Sequence, residues 1–113
     1  MNIQSLAELT NSKLLTPETD QTREVTCGYS CDLLSWVMAH GKSGMAWITV
    51  QTHMNAVAVA TLMEMAAIIV PEGIAVPEEV VERASNEGLA ILSSEKAAYE
   101  LCGLMYGAGI TKS

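Results

Sequence analysis

The sequence predicts a small three-layer α/β domain with a mostly parallel sheet. Three observations carry that expectation. From residue 24 onward, strand-like segments alternate with helix-like ones. The strand-like segments are short and continuously apolar, as strands covered on both faces are. The chain has 113 residues, half of them apolar, which is enough for one domain (residues 1–113) around one modest core.

Each element has its own signal. "IQSLAELT" places Leu6 and Leu9 on one helical face, predicting a short helix from Ile3 to Thr10, followed by a short strand around Lys13 to Thr16. "PETDQT", Pro17 to Thr22, is polar and turn-rich and is expected to be a flexible loop. "EVTCGYS" is a strand. "DLLSWVMAH" follows as a helix with Leu33, Leu34, Val37 and Met38 on its buried face, Ser30 or Asp32 as cap and Gly41 at its end. "MAWITVQT" is the clearest strand, rich in β-branched residues. The helix expected from Thr52 to about Met65 is apolar nearly all round, with only Thr61 and Glu64 polar between Ala56 and Met65. "AAIIV" is a buried strand stopped by "PEG". "VPEEVVERASNEG" is a helix with Pro77 at its first position, Glu78 and Glu79 at the positive end of its dipole and Gly88 at its end. "LAILS" is the last strand. Ser93 or Ser94 is expected to cap the final helix, whose apolar stripe includes Cys102.

Charge narrows the function. Six Lys and Arg stand against thirteen Asp and Glu, a net charge of −7, and no two basic residues are adjacent. Nucleic acid and anionic membrane surfaces both require clustered positive charge. No partner of either kind is expected. The longest apolar run, Ala56 to Val70, is short for a bilayer span and contains Glu64. The amino-terminal stretch has no basic segment ahead of an apolar one, so a cytoplasmic protein with free thiols is expected.

Three short motifs invite chemistry. Cys27 and Cys31 are four apart ahead of a helix, but zinc takes four ligands, and His40 and His53 are not spaced as a pair. The two thiols are weak metal candidates within one chain, although a dimer could supply two such pairs. The positive end of the helix favours a thiolate at Cys31 and Asp32 opposes it. Gly41-Lys42-Ser43 imitates the end of a P-loop. Trp36 stands where the motif needs glycine, and the triplet follows a helix instead of preceding one, which makes it a turn. In open α/β sheets ligands bind outside the carboxyl ends of strands. That places the ligand-binding expectation on Gln51, Thr52, His53 and Asn55, with Gly73 and Ser93-Ser94 on the same rim. The competing reading is that Thr52 merely caps its helix and His53 is solvated. No catalytic residues and no cofactor are expected, since no acid–base pair or nucleophile triad can be drawn from these spacings.

The order of elements from Trp47 to Tyr99 resembles the DRTGG-domain family, related to the N-terminal domain of HPr kinase, and the resemblance covers residues 24–106. The matching elements are the strand Trp47 to Gln51, the Ala-rich helix from Thr52, the strand Ala67 to Gly73, the helix Pro77 to Glu87, the strand Gly88 to Ser93 and the helix near Tyr99. The name-giving residues differ: Gln51-Thr52-His53 stand in place of Gly-Asp-Arg, and Val70-Pro71-Glu72-Gly73 in place of Thr-Gly-Gly. The resemblance implies a DRTGG-like fold and an accessory, dimer-forming or regulatory module, not a known catalyst. A non-catalytic regulatory or interaction module binding a small anionic or nucleotide-like ligand, a partner protein, or both, is the leading expectation. A redox or metal-linked accessory protein using Cys27 and Cys31, such as one serving an iron–sulfur enzyme system, is the alternative. A homodimer is expected in either case, because the all-round apolar helix after Thr52 needs a second covering surface.

Overall fold

A computed structural model describes residues 1–111. The elements run α1 (Ile3–Thr10), β1 (Lys13–Leu14), β2 (Cys27–Ser30), α2 (Leu34–His40), β3 (Met45–Ile48), α3 (Met54–Leu62), β4 (Ala67–Val70), α4 (Glu78–Asn86), β5 (Ala90–Ser93) and α5 (Ala98–Gly107). The sheet order is β1-β5-β4-β3-β2, with β2 to β5 parallel and β1 antiparallel to β5 at the edge. The chain is therefore a three-layer α/β domain with a mostly parallel sheet.

Residue parity along the strands separates two cores. Met45 and Trp47 of β3, Ile68 and Val70 of β4 and Ile91 of β5 face the layer that holds Val37 of α2, Ala56, Val57 and Ala60 of α3, and Val80 and Ala84 of α4. Ala46, Ile48, Ala67, Ile69, Ala90 and Leu92 face the other layer, where Ile3 and Leu6 of α1 meet Leu101 and Met105 of α5. The three successive crossovers thus put their helices on one face, and the strands are laid down in sequence order. The chain changes face twice, between α1 and α2 and again after β5.

Several local expectations are corrected. Leu33 and Met38 do not join the buried face of α2; they are 62% and 48% exposed, and Val37 is its buried residue. The position ahead of α2 is Leu33, with no side-chain cap, so neither Ser30 nor Asp32 serves. Ala97, also without a side-chain cap, precedes α5 in place of Ser93 or Ser94. Pro77 stands one position earlier than expected, outside the first turn of α4. β1 stops at Leu14 because Thr16 takes over with its side chain: its Oγ1 accepts the Ile91 N–H at 3.1 Å, and Pro17 has no N–H to continue the ladder. The loop after Pro17 contains side-chain-held turns. Thr19 donates to the Thr16 carbonyl at 2.8 Å, and Asp20 accepts from the Thr22 hydroxyl and N–H at 2.6 and 2.9 Å.

Four helices share one terminating device. A residue in the left-handed region (Asn11, Glu64, Gly88 or Gly109) is followed by a residue whose N–H reaches back five positions: Ser12 to Ala7, Met65 to Ala60, Leu89 to Ala84, Ile110 to Met105. Three of the four following residues, Met65, Leu89 and Ile110, are buried, so each turn also drives an apolar side chain into the core.

Candidate functional site

The carboxyl ends of β2 and β3 are tied together by Asp32. Its Oδ1 accepts the Thr49 hydroxyl at 2.8 Å and the Val50 N–H at 3.0 Å, and its main-chain carbonyl accepts Gln51 Nε2 at 2.8 Å. Thr49 Oγ1 in turn accepts the Gln51 N–H at 3.1 Å. Beneath them Trp47 donates its indole N–H to the Cys31 carbonyl at 2.8 Å. Thr49 is buried and its N–H still bonds the Ile69 carbonyl, so the network grows directly from the sheet. A polar side chain within two positions beyond each of two adjacent parallel strands is the sequence signal for this arrangement. Asp32 and Thr49 carry it, and sequence reasoning missed both as site residues.

This network decides where α3 begins. Thr49, Val50 and Gln51 are held to Asp32, just beyond β2, and the helix starts at Met54 and not at Thr52. Thr52 is half-buried in the connection and does not cap the helix. His53 stands at the capping position, exposed, with no side-chain capping bond, and its carbonyl accepts the Ala56 N–H at 3.0 Å. Asn55 is exposed in the first turn, which contains no acidic residue. The first amides of α3 therefore face the rim without a side-chain acceptor from its cap, and the helix dipole adds positive potential there. Leu33, Val50 and Met54, each more than a third exposed, are chain neighbours of Asp32, Gln51 and His53 in this polar strip.

Gly73 and Ser93-Ser94 lie at the carboxyl ends of β4 and β5. There the two loops are bonded to one another, Gly73 N–H to the Ser94 carbonyl at 2.8 Å and Glu72 N–H to the Lys96 carbonyl at 2.9 Å. Gly73 has φ of +64°, and a Cβ on it would come within 2.6 Å of Glu95 Oε2. Ser93 ends β5, paired with Lys13 and Val70. Ser94 is buried; its hydroxyl lies 3.2 Å from the Thr10 carbonyl and accepts the Lys96 N–H at 3.1 Å. The structure thus groups Gln51, Thr52, His53 and Asn55 at an open end of the rim. Gly73 and Ser94 belong to a stretch closed by its own bonds.

Cys27 is fully buried in the core beneath α2 to α4, and Cys31 is half-buried against the same core, its Sγ 3.8 Å from the Leu33 carbonyl. All three cysteines are free thiols. Among the described residues no group of three or more His, Cys, Asp or Glu side chains is placed to hold a metal ion. Gly41-Lys42-Ser43 lies in the connection between α2 and β3, where the Gly41 N–H bonds the Val37 carbonyl at 2.6 Å and the Ser43 carbonyl accepts the Thr26 hydroxyl at 2.9 Å. Among the described residues no helix is long and apolar enough to cross a membrane.

The sequence matches no known family's model and no curated protein. The fold, however, is similar to the crystal structure of the CBS and DRTGG domains of the regulatory region of Clostridium perfringens pyrophosphatase, complexed with its activator diadenosine tetraphosphate. The TM-score is 0.75 at 10% identity, over 92% of this chain and 45% of that one. The present chain thus spans less than half of the solved chain it matches. At that identity the likeness is one of fold: the chain has the α/β architecture found in a DRTGG-containing regulatory region.

Proposed function

We propose that the chain is a non-catalytic regulatory module that binds a small anionic or nucleotide-like ligand at the carboxyl end of β3. The observation that carries this reading is the uncapped amino terminus of α3, held open by the Asp32 network and bordered by Gln51, His53 and Asn55. Two features favour a nucleotide-like ligand over a bare anion. The chain is acidic, so a small anion has only local potential to hold it. The apolar side chains of Leu33, Val50 and Met54 offer a surface for a base or ring beside the helix amides that suit a phosphate. The fold likeness to a nucleotide-activated regulatory region supports the same class of ligand. Among the described residues no constellation of nucleophile, base and orienting group accompanies the rim, which is why the reading is regulatory.

Titration calorimetry with diadenosine tetraphosphate, ATP and inorganic phosphate tests this. The two nucleotides bind and phosphate binds more weakly. Asn55→Asp is the informative variant, because an acidic residue in the first turn favours the helix yet repels an anionic ligand. It keeps or raises the melting temperature while weakening nucleotide binding about tenfold, or 1.4 kcal/mol. Equal binding by wild type and variant contradicts the proposal.

A further inference from the structure

The outer faces of α2 and α3 carry apolar side chains that no other described residue covers. Trp36 is 53% exposed, Met38 48% and Leu62 67%. Met54, Ala58 and Leu62 stand at i, i+4 and i+8, one line along the outside of α3. The two helices are neighbours on the same face of the sheet. Neither contains an Asp, Glu, Lys or Arg in its seven or nine residues. The next helix, α4, carries Glu78, Glu79, Glu82 and Arg83 within nine.

We infer that this uncharged α2–α3 face is the interface of a homodimer, with the same face of a second copy packed against it about a twofold axis. Charge selects the occupant. Each copy carries a net −7, so two copies repel over most of their surfaces. A twofold interface sets a patch against itself, and any charge near its axis meets its like. A patch whose two helices carry no charge, bordered at Leu62 by the mutually paired Arg83 and Glu87, escapes most of that penalty. A foreign partner drawn to this acidic chain brings basic side chains, and its complement is the acidic surface of α4, not this face. The area also fits. Trp36, Met38 and Leu62 each leave more than a third of their surface in water. At on the order of 100 Å² apiece they supply over a third of the roughly 800 Å² that one side of a standard interface buries.

Trp36 is the anchor. Its ring stacks on His40 with centroids 4.4 Å apart, and His40 Nδ1 lies 2.9 Å from the Trp36 carbonyl, so the indole is held in place before a partner arrives. The face ends at Leu33 and Met54, beside the candidate ligand rim. Coupling between ligand and dimer therefore rests on the proposed function, whereas the dimer itself does not.

Light scattering and sedimentation of the full chain at micromolar concentration test the interface. The expected mass is twice 12.1 kDa. Trp36→Glu and Leu62→Glu each weaken association at least about tenfold, with unchanged far-ultraviolet circular dichroism. Tyr99→Glu, at a 92% exposed position on the outside of α5, leaves the dimer intact. Trp36→Ala and Met38→Ala, which only remove exposed apolar surface, give the same direction should a glutamate variant fold poorly. A monomer across the concentration range, or a dimer indifferent to substitutions at Trp36, Met38 and Leu62, overturns the inference.

Discussion

Asp32 shows how one side chain positions a rim. It gathers a hydroxyl, a main-chain N–H and, through its carbonyl, an amide side chain from the neighbouring strand end. Asp32→Ala frees all but the last. Partly exposed hydrogen bonds of this kind contribute about 0.5–1.5 kcal/mol each, so a loss on the order of 1–2 kcal/mol in urea denaturation is expected, with the largest amide shifts at Thr49 to His53. The cysteines differ in the same assay. Cys27→Ser buries a hydroxyl in an apolar core and costs about 1–3 kcal/mol, while Cys31→Ser, half-exposed, costs less than about 1. Glu64 is left-handed at φ 56° with an exposed side chain, and Glu64→Gly should therefore raise stability by about 0.5–1 kcal/mol. At Asp20 the Thr22 hydroxyl and N–H hold the carboxyl below its ordinary value of 3.8. Its contribution is present above that value and lost as pH falls through the lowered one. A carboxyl-detected NMR titration reads this directly: an Asp20 midpoint at or above 3.8 contradicts it.

At the scale of elements, existence was legible and termini were not. Every predicted helix and strand is present, because each strand is a continuous apolar run and α4 has both its acidic first turn and Gly88. Helix α3 was expected two residues early and several residues too long. Its start is set by Asp32, twenty-two positions upstream of Met54, which no local pattern reveals. Its end is set by a glutamate doing the work usually given to glycine, so composition offered no stop signal. The exposure of Leu33 and Met38 was hidden for a related reason. Helical periodicity identifies an apolar side chain but not whether the chain itself covers it. Gly88 tests the shared helix ending: its φ is +73° and a Cβ there meets nothing within 4 Å. Gly88→Ala thus isolates the backbone term, and a loss of about 1–2 kcal/mol is expected in thermal or urea unfolding. No loss would mean that the left-handed turn is not what ends α4.

For the whole molecule, alternation of apolar strands with helices led to the parallel sheet and its two covering layers, and the order of elements led to the DRTGG-like architecture that the solved regulatory region shares. The site was legible only in part. The rule that ligands meet strand carboxyl ends directs attention to one rim but not to one point on it. Closure of the β4–β5 stretch by the Gly73–Ser94 and Glu72–Lys96 bonds, and the opening left at α3, emerge only when loops from different parts of the chain are brought together. The central claim is that this opening receives a nucleotide-like ligand. Amide shift mapping with diadenosine tetraphosphate tests it most directly. The account predicts the largest saturable shifts at Gln51, His53, Met54 and Asn55. Absence of saturable shifts, or shifts confined to the opposite rim around Arg23, Glu64 and Gly88, would contradict it.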